Sequence, residues 1–277
     1  MHEFELIKKY FSKLTNKTKL SLSLNDDVFF DKTNKLVVSV DTYIEGNHFV
    51  NFKRPELVIK KIIRSSISDL ICKGVNPRYY FLSASGNSKS FSKNNLSKIS
   101  KSLREEQKKY NIILGGGDTV FSNKLSFTVT SVGFSNKIIY RNNSKVNDDI
   151  YVTGNLGDSF LGLLVLKNKI KLNRKLSTYF INQYYKPEIK YSLTDHLNNF
   201  ATSSIDLSDG LIADLEKLTN RQINSYILFF DKIPVSKNLN LVLNLKNLLK
   251  KNLISKGDDY QVLFTSNINN RSFIKKT

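Results

Sequence analysis

The chain of 277 residues carries 43 Lys and Arg against 24 Asp and Glu, a formal net charge of +19, and its length suggests about two domains with a sizeable core. No run approaches about 18 consecutive apolar residues, which argues against a membrane-spanning helix. Cys72 is the single cysteine, which argues against an internal disulfide framework. Together these features favour a cytoplasmic protein. The lysines are scattered without a basic run of five or more, so nucleic acid is an unfavoured partner, although a diffuse positive field would attract anionic small molecules such as nucleotides.

The first part of the chain leads to a short apolar strand. Residues 1–14 predict an amphipathic helix and not a signal peptide, and residues 22–30 read as a short strand or turn that carries Asp26 and Asp27. Residues 36–40 are apolar and β-branched, which is typical of a strand buried on both faces.

Polar residues follow this strand within eight positions. They are Asp41, Thr42, Glu45 and His48, around Gly46. Side chains just past the end of a buried strand are the usual ligand contacts of open α/β sheets. An ordinary polar turn, with Asp41 as its cap and His48 as a lone loop residue, fits the same pattern.

A helix is predicted over residues 53–76, with Pro55 near its first turn, Gly74 as its stop and apolar residues at a 3.6-residue period. Asp69 lies in its last turn, where a carboxylate faces the negative end of the helix dipole at a cost of about 0.3–1 kcal/mol. An exposed Asp tolerates that cost, whereas a bound cation reverses it. Because Asp26, Asp27 and Asp41 are near in sequence, we favour the cation.

The next segment predicts a strand over residues 78–85, an amphipathic helix over 95–110 and a half-buried strand over 125–132. Between them, residues 111–119 read NIILGGGDT, a buried strand followed by three glycines and Asp118. Glycines at such a position let the backbone approach a phosphate. No GxxxxGK[ST] pattern follows, so this is not a Walker A loop.

A domain boundary is predicted at residues 142–147, which gives an N-terminal domain over 1–143 and a C-terminal α/β domain over 144–277. The second domain opens with a strand over residues 150–153. The stretch 154–159, GNLGDS, then leads into an apolar helix, and it fits a capped helix start and a phosphate contact equally well.

Two further turns of the second domain concentrate carboxylates. Residues 203–219 predict a strand that ends at Asp206, then Ser208 and Asp209 at a helix start, and residues 256–265 contain KGDDYQVLFT. Carboxylate oxygens are the ligands that Mg²⁺ prefers. Solvated turns also attract Asp, so a metal site requires that these turns converge.

Taken in chain order, the motifs resemble those of the thiamine-monophosphate kinase family, in the wider ATP-using group of aminoimidazole ribonucleotide synthetase and selenophosphate synthetase. Seven pieces carry the resemblance, and they span nearly the whole chain: NDD at 25–27, SVDTYIEGNHF at 39–49, SDLICKGVNP at 68–77, GGDT at 116–119, DDIYVTGNLGDS at 148–159, IDLSDGLIADL at 205–215 and GDDYQVLFT at 257–265.

The resemblance implies a mixed α/β (α+β) two-domain fold like that of aminoimidazole ribonucleotide synthetase, with ATP between the domains and dimerisation through the N-terminal domain. It implies transfer of the ATP γ-phosphoryl group to thiamine monophosphate, a phosphotransferase reaction with a phosphate acceptor that gives thiamine diphosphate. Phosphoryl transfer of this kind needs charge neutralisation and positioning more than covalent chemistry, which several Mg²⁺ ions would supply.

The resemblance also assigns site residues. Asp41 and Asp118 would be catalytic. Several Mg²⁺ ions would be held by Asp27, Ser39, Val40 (through its backbone), Asp41, Asp69, Asp118, Asp206 and Asp209. ATP would contact Tyr110, Gly117, Asp118, Arg141 and Ser208, and thiamine monophosphate would contact His48 and Asp258.

Three departures from the family pattern stand beside these assignments. Asn25 and Lys256 occupy glycine positions, and Asp258 replaces a glutamate. The C-terminal domain is also expected to be short, because the family continues into an aromatic segment that closes the thiamine site. The open alternatives are another synthetase of the same group and a non-catalytic nucleotide- or nucleic-acid-binding relative. Cys72 within a helix does not fit the reactive cysteine of a selenophosphate synthetase.

Overall fold

The computed structural model describes residues 3–15, 18–219 and 223–275. Among these residues, eight strands form two separate sheets. The strands are β1 Phe29–Asp31, β2 Leu36–Ile44, β3 Pro77–Gly86, β4 Ile113–Phe121, β5 Ser126–Phe134, β6 Asp149–Val152, β7 Ala201–Asp206 and β8 Val262–Ser266.

The described helices lie around and between these sheets. They are α1 Glu3–Leu6, α2 Pro55–Cys72, α3 Lys93–Tyr110, α4 Asp158–Leu166, α5 Arg174–Tyr185, α6 Thr194–Leu197, α7 Leu211–Leu218, α8 Lys237–Lys246, α9 Lys250–Ile254 and α10 Arg271–Ile274. The predicted N-terminal helix is broken, since α1 continues as a π-helical turn over Ile7–Phe11 and a 3₁₀ turn over Ser12–Thr15. Residues 1 and 2 of that prediction lie outside the described residues.

The larger sheet has the order β1-β2-β5-β3-β4 and is covered on one face by α2. Side chains of β2 and β5 alternate, so that Tyr43, Phe127 and Val129 pack inward in one core with the apolar face of α2, and Val37 packs inward in a second cluster with Leu70 of that helix. Helix α2 ends before Gly74, whose φ of +69° suits glycine and where a Cβ would lie 2.3 Å from the Asn198 amide nitrogen.

The opposite face of this sheet is uncovered in the single chain. Val40 is 61% exposed and Phe81 41% exposed, so the prediction of a β2 strand buried on both faces was wrong. Strand β2 also continues to Ile44, which puts Asp41 and Thr42 within the strand instead of in a turn after it. The predicted burial of β4 was wrong as well, because all nine of its residues are exposed at the edge of the sheet.

The smaller sheet is antiparallel with the order β6-β8-β7, and α7 packs against it. Residues 142–147, the predicted boundary, connect the two sheets. Helix α2 also contacts β7 and α5, and one hydrophobic cluster runs from Ile62 to Tyr184 and Phe264. The result is a mixed α/β fold in which α2 lies against both halves. Within the described ranges, every helix is too short or too polar to cross a membrane.

Candidate active site

A cavity of about 1240 Å³ opens where the end of α2, strand β2 and the loops of the smaller sheet meet. The predicted turns do converge here. Ten of the residues proposed from the sequence line this cavity: Asp27, Val40, Asp41, His48, Asp69, Arg141, Asp206, Ser208, Asp209 and Asp258. Ser39 is buried directly beside it and donates its hydroxyl to Asp69 Oδ2 at 2.8 Å.

Three carboxylates form the acidic wall of the cavity. Burial raises the pKa of Asp41 to about 6 and that of Asp206 to about 8, and it raises the pKa of Asp69 well above its ordinary value. Repulsion from neighbouring carboxylates adds to each shift, since charge on one disfavours charge on the next. Their hydrogen-bond donors are neutral hydroxyls, namely Ser39 for Asp69, Tyr43 for Asp41 and Ser68 for Asp206.

The donor chemistry of this wall, although not its present arrangement, suits a hard divalent cation. All its donor atoms are oxygens, which Mg²⁺ prefers, and a bound cation would allow neighbouring carboxylates to ionise together. In the part of the chain that the structure describes, no group of three or more His, Cys, Asp or Glu side chains is arranged to hold a metal ion.

Asp27 lines the same cavity but has two cations beside it. Lys73 Nζ is 2.9 Å from Asp27 Oδ2, and Arg141 Nη1 is 2.9 Å from Asp27 Oδ1. Burial acts to raise the pKa of Asp27, but these two cations hold it below its ordinary value. Lys73 had no predicted role; its position at the end of an apolar helix, four residues before a strand that begins with proline, was the only signal. Arg141, predicted to contact ATP, is engaged by Asp27 here.

The loop between β7 and α7 carries Ser208 and Asp209. Asp214 Oδ2 accepts hydrogen bonds from the backbone N–H of Asp209 and Gly210, so Asp214 holds this loop against α7, and neither Ser208 nor Asp209 caps the helix. The Asp209 side chain is 64% exposed, with Lys217 Nζ at 2.6 Å. Gly257 closes this loop against the 256–260 segment, because a Cβ there would lie 1.6 Å from the Ser208 carbonyl oxygen.

His48 and Asp258 approach the cavity from opposite halves of the molecule. His48 Nδ1 accepts a hydrogen bond from the Ile44 backbone N–H at 3.0 Å, which leaves Nε2 as the donor of the neutral ring. Asp258 Oδ1 lies 2.6 Å from Nζ of Lys61, a lysine of α2 that is 1% exposed. Sequence reasoning missed Lys61 because Lys60 and Lys61 form a doublet that reads as a solvated face.

Three proposed residues do not reach the cavity. Tyr110 is buried at the end of α3 against the Tyr191 ring, so this arrangement does not support its predicted ATP contact. Gly117 and Asp118 lie on the exposed strand β4. Residues Thr42, Thr128, Ser83 and Asp118 form one row across the sheet, which separates Asp118 from Thr42 by three strand spacings, or about 14 Å.

The stretch 154–159 is a capped helix start. Asp259 accepts hydrogen bonds from the backbone N–H of Gly157 at 2.7 Å and of Ser159 at 3.3 Å, the first donors of α4. Asp158 itself is buried and accepts from Tyr179 and Ser236 hydroxyls. Since these donors are already used, the alternative of a phosphate contact at this turn is disfavoured.

Comparison with known proteins identifies relatives of this chain. Residues 25–135 match the family of AIR synthase related proteins, N-terminal domain. The thiamine-monophosphate kinase of Buchnera aphidicola subsp. Acyrthosiphon pisum is 36% identical over 99% of this chain and 87% of the relative, and that of Haemophilus influenzae is 33% identical over 96% and 81%. The solved structure of AaThiL complexed with AMPPCP and TMP superposes with a TM-score of 0.87 at 26% identity, over 96% of this chain and 85% of that one.

Proposed function

Because the chain belongs to the thiamine-monophosphate kinase family, we propose that it transfers the γ-phosphoryl group of ATP to thiamine monophosphate, giving ADP and thiamine diphosphate. The observation that carries the proposal is the convergence of Asp41, Asp69 and Asp206 on one cavity of about 1240 Å³. Such a wall suits a reaction whose main demand is the neutralisation of phosphate charge.

In the proposed reaction, an oxygen of the acceptor phosphate bonds to the γ-phosphorus while the bond to the β–γ bridging oxygen breaks, and ADP leaves. The acceptor is already an anion, so no general base is required. Asp41, Asp69 and Asp206 would hold Mg²⁺, which when bound supplies the positive charge that the transferring phosphoryl group requires. His48 Nε2 is suited to donate a hydrogen bond to the acceptor phosphate. Asp258, fixed by Lys61, is suited to contact the thiamine moiety.

The test is synthesis of thiamine diphosphate by the purified protein with Mg²⁺-ATP and thiamine monophosphate, followed by chromatography. We expect equal amounts of ADP and thiamine diphosphate. Asp41→Ala should lower kcat/KM by at least about 10²-fold, the range seen when one electrostatic stabiliser is removed. Asp31→Ala, which removes a carboxylate from a turn outside the cavity, is the matched control. Binding of ATP without turnover would contradict the proposal and favour a non-catalytic relative.

The proposal includes a homodimer. The uncovered face of the larger sheet exposes apolar side chains of β2, β3 and β4, including Val40, Phe81 and Val120. A second copy of this face would cover them and is the simplest route by which Asp118, about 14 Å from Thr42 in its own chain, would join an ATP site. The cytoplasmic location expected from the sequence stays a prediction.

A further inference from the structure

Lys73 is a completely enclosed charge near the cavity. It is the residue directly after α2, its exposed fraction is 0%, and its ammonium group lies 2.7 Å from Asp26 Oδ1, 2.9 Å from Asp27 Oδ2 and 2.9 Å from the Ser204 carbonyl oxygen. Two ion pairs and one hydrogen bond therefore fix Nζ in position.

Asp26 and Asp27 are both paired with cations of the protein. Asp26 Oδ1 accepts a hydrogen bond from the Asp27 backbone N–H and forms an ion pair with Lys73, and Asp26 Oδ2 accepts from the Arg141 backbone N–H at 3.0 Å. Asp27 Oδ1 accepts from Arg141 Nη1, whereas Asp27 Oδ2 has the ion pair with Lys73 but no hydrogen bond from the described residues. Each of the two carboxylates thus has at least one cation that belongs to this chain.

The other carboxylates of the cavity contrast with this arrangement. Among the described residues, Asp41, Asp69 and Asp206 have hydroxyl donors and form no ion pair with Lys or Arg. The positive charge that a carboxylate cluster needs is therefore built in at Asp26 and Asp27 and must come from solution at Asp41, Asp69 and Asp206.

We infer that Lys73 is a built-in cation that takes the place of a divalent ion at Asp26 and Asp27, so that divalent ions are held only by Asp41, Asp69 and Asp206. This inference rests on the proposed function for its requirement of divalent ions. It removes Asp27 from the set of metal ligands that the family resemblance implies. Lys73 then keeps Asp27 and Arg141 in place whether or not a divalent ion is bound.

The number of bound ions tests this inference without turnover. Mn²⁺ is titrated into wild type and Lys73→Met in the presence of the ATP analogue AMPPCP, and free Mn²⁺ is read by electron paramagnetic resonance. We expect Lys73→Met to bind one more Mn²⁺ per chain than wild type. Lys61→Met, which removes another fully buried lysine away from Asp27, is the matched control and should bind as many ions as wild type. If wild type and Lys73→Met bind the same number of Mn²⁺ ions per chain, even if that number is zero, the inference is overturned.

A second measurement keeps the test decisive if Lys73→Met does not fold, because this substitution leaves two buried carboxylates without their ammonium partner. The double variant Lys73→Met with Asp26→Asn removes one charge of each sign and should again bind one extra Mn²⁺. In the wild-type background, Asp27→Asn should leave the count unchanged, and loss of an ion there would overturn the inference on its own. Because binding is read without catalysis, a failure to make thiamine diphosphate would contradict only the proposed function.

Discussion

At the scale of single residues, the ion pair between Lys61 and Asp258 connects α2 to the loop before β8. Lys61 Nζ also lies 4.0 Å from the centroid of the Tyr184 ring, so the lysine is enclosed by an aromatic face and a carboxylate. Burial lowers the pKa of Lys61, and Asp258 opposes that shift. The pair fixes the carboxylate that we propose to contact thiamine monophosphate.

We therefore expect Lys61→Met to raise KM for thiamine monophosphate by about 10-fold, with a smaller change in KM for ATP, because Asp258 would lose its fixed orientation. The free energy of unfolding should fall by about 1–3 kcal/mol, the cost of leaving one partner of such a bond unpaired. Steady-state kinetics with each substrate varied and urea unfolding check the two effects.

The neighbouring lysine supplies the control for this prediction. Lys60 pairs with Glu105 at the surface, where the Glu105 side chain is 45% exposed. Lys60→Met should cost less than about 1 kcal/mol and leave both KM values unchanged, as expected for a surface ion pair. Equal effects of the two substitutions would mean that Lys61 acts only through the stability of the fold.

The sequence predicted most carboxylates of the site but not their counterions. Asp41 and Asp206 lie on strands and Asp69 lies in the last turn of α2, and the family resemblance implied that they converge. Lys61 and Lys73 could not be separated from the other lysines of a chain with net charge +19, because burial of a lysine depends on which carboxylate the fold brings to it. Tyr110 was assigned to ATP by the family resemblance, and the sequence did not indicate that this residue would be buried at the end of α3.

At the scale of elements, helix α4 begins without a cap of its own. Its N-cap position is Gly157, in a left-handed conformation with φ of +87°, and the Asp259 carboxylate from the loop before β8 accepts the first N–H groups instead. This contact joins two segments a hundred residues apart. The Asp259 carboxylate also interacts favourably with the positive end of the α4 dipole, within the protein.

Asp259→Ala should lower the free energy of unfolding by about 1–3 kcal/mol, because two buried N–H groups would lose their acceptor. Thermal or urea unfolding followed by circular dichroism measures this loss. Asp231→Ala is the control, since Asp231 is an exposed residue of the 3₁₀ turn Phe230–Lys232 and should change stability by no more than about 0.5 kcal/mol. An unchanged free energy of unfolding in Asp259→Ala would mean that water accepts the hydrogen bonds of the first N–H groups of α4.

Element positions were predictable from periodicity, whereas the environment of each strand was not. Helices α2 and α3 and strand β5 lie close to their predicted ranges, because their apolar residues repeat at the period of the element. Strands β2 and β4 were both expected to be buried. An apolar composition is the same for a strand buried on both faces and for one with an uncovered face or at a sheet edge, and only the sheet order and the packing of helices on the sheet separate these cases.

At the scale of the whole molecule, the uncovered sheet face determines how the chain would associate. Phe81 lies on the exposed face of β3, in one row with Thr130 and Val40. We expect wild type to have twice the 31.8 kDa mass of one chain by light scattering. Phe81→Asp should have the mass of a single chain, because a charge would have to be buried between two copies.

The control for this surface is Leu245→Asp, which puts the same charge on an exposed position of α8, where Leu245 is 65% exposed. This variant should remain a dimer. Wild type that runs as a single chain, or a Phe81→Asp variant that still dimerises, would contradict association through this face. Loss of the dimer should also lower kinase activity, since Asp118 would no longer be supplied by a second copy.

The buried carboxylates make the stability of the whole chain depend on pH. Burial raises the pKa of Asp41 to about 6, of Asp259 to about 7 and of Asp206 to about 8, all above the ordinary Asp value of 3.8. Between about pH 4 and pH 8 the folded state therefore binds more protons than the unfolded state, so the free energy of unfolding falls as pH rises through this window. Without divalent ions, the melting temperature should be higher at pH 5 than at pH 8.

Magnesium should reverse part of this loss, because a divalent cation binds the ionised forms of Asp41 and Asp206 and competes with protons for them. Addition of Mg²⁺ is expected to raise the melting temperature more at pH 8 than at pH 5, as measured by differential scanning calorimetry against NaCl of equal ionic strength. Asp41→Asn should reduce that Mg²⁺ effect, whereas Asp259→Asn should retain it, since Asp259 binds the start of α4 and does not line the cavity. A Mg²⁺ effect of the same size at both pH values would mean that the acidic wall does not hold the ion.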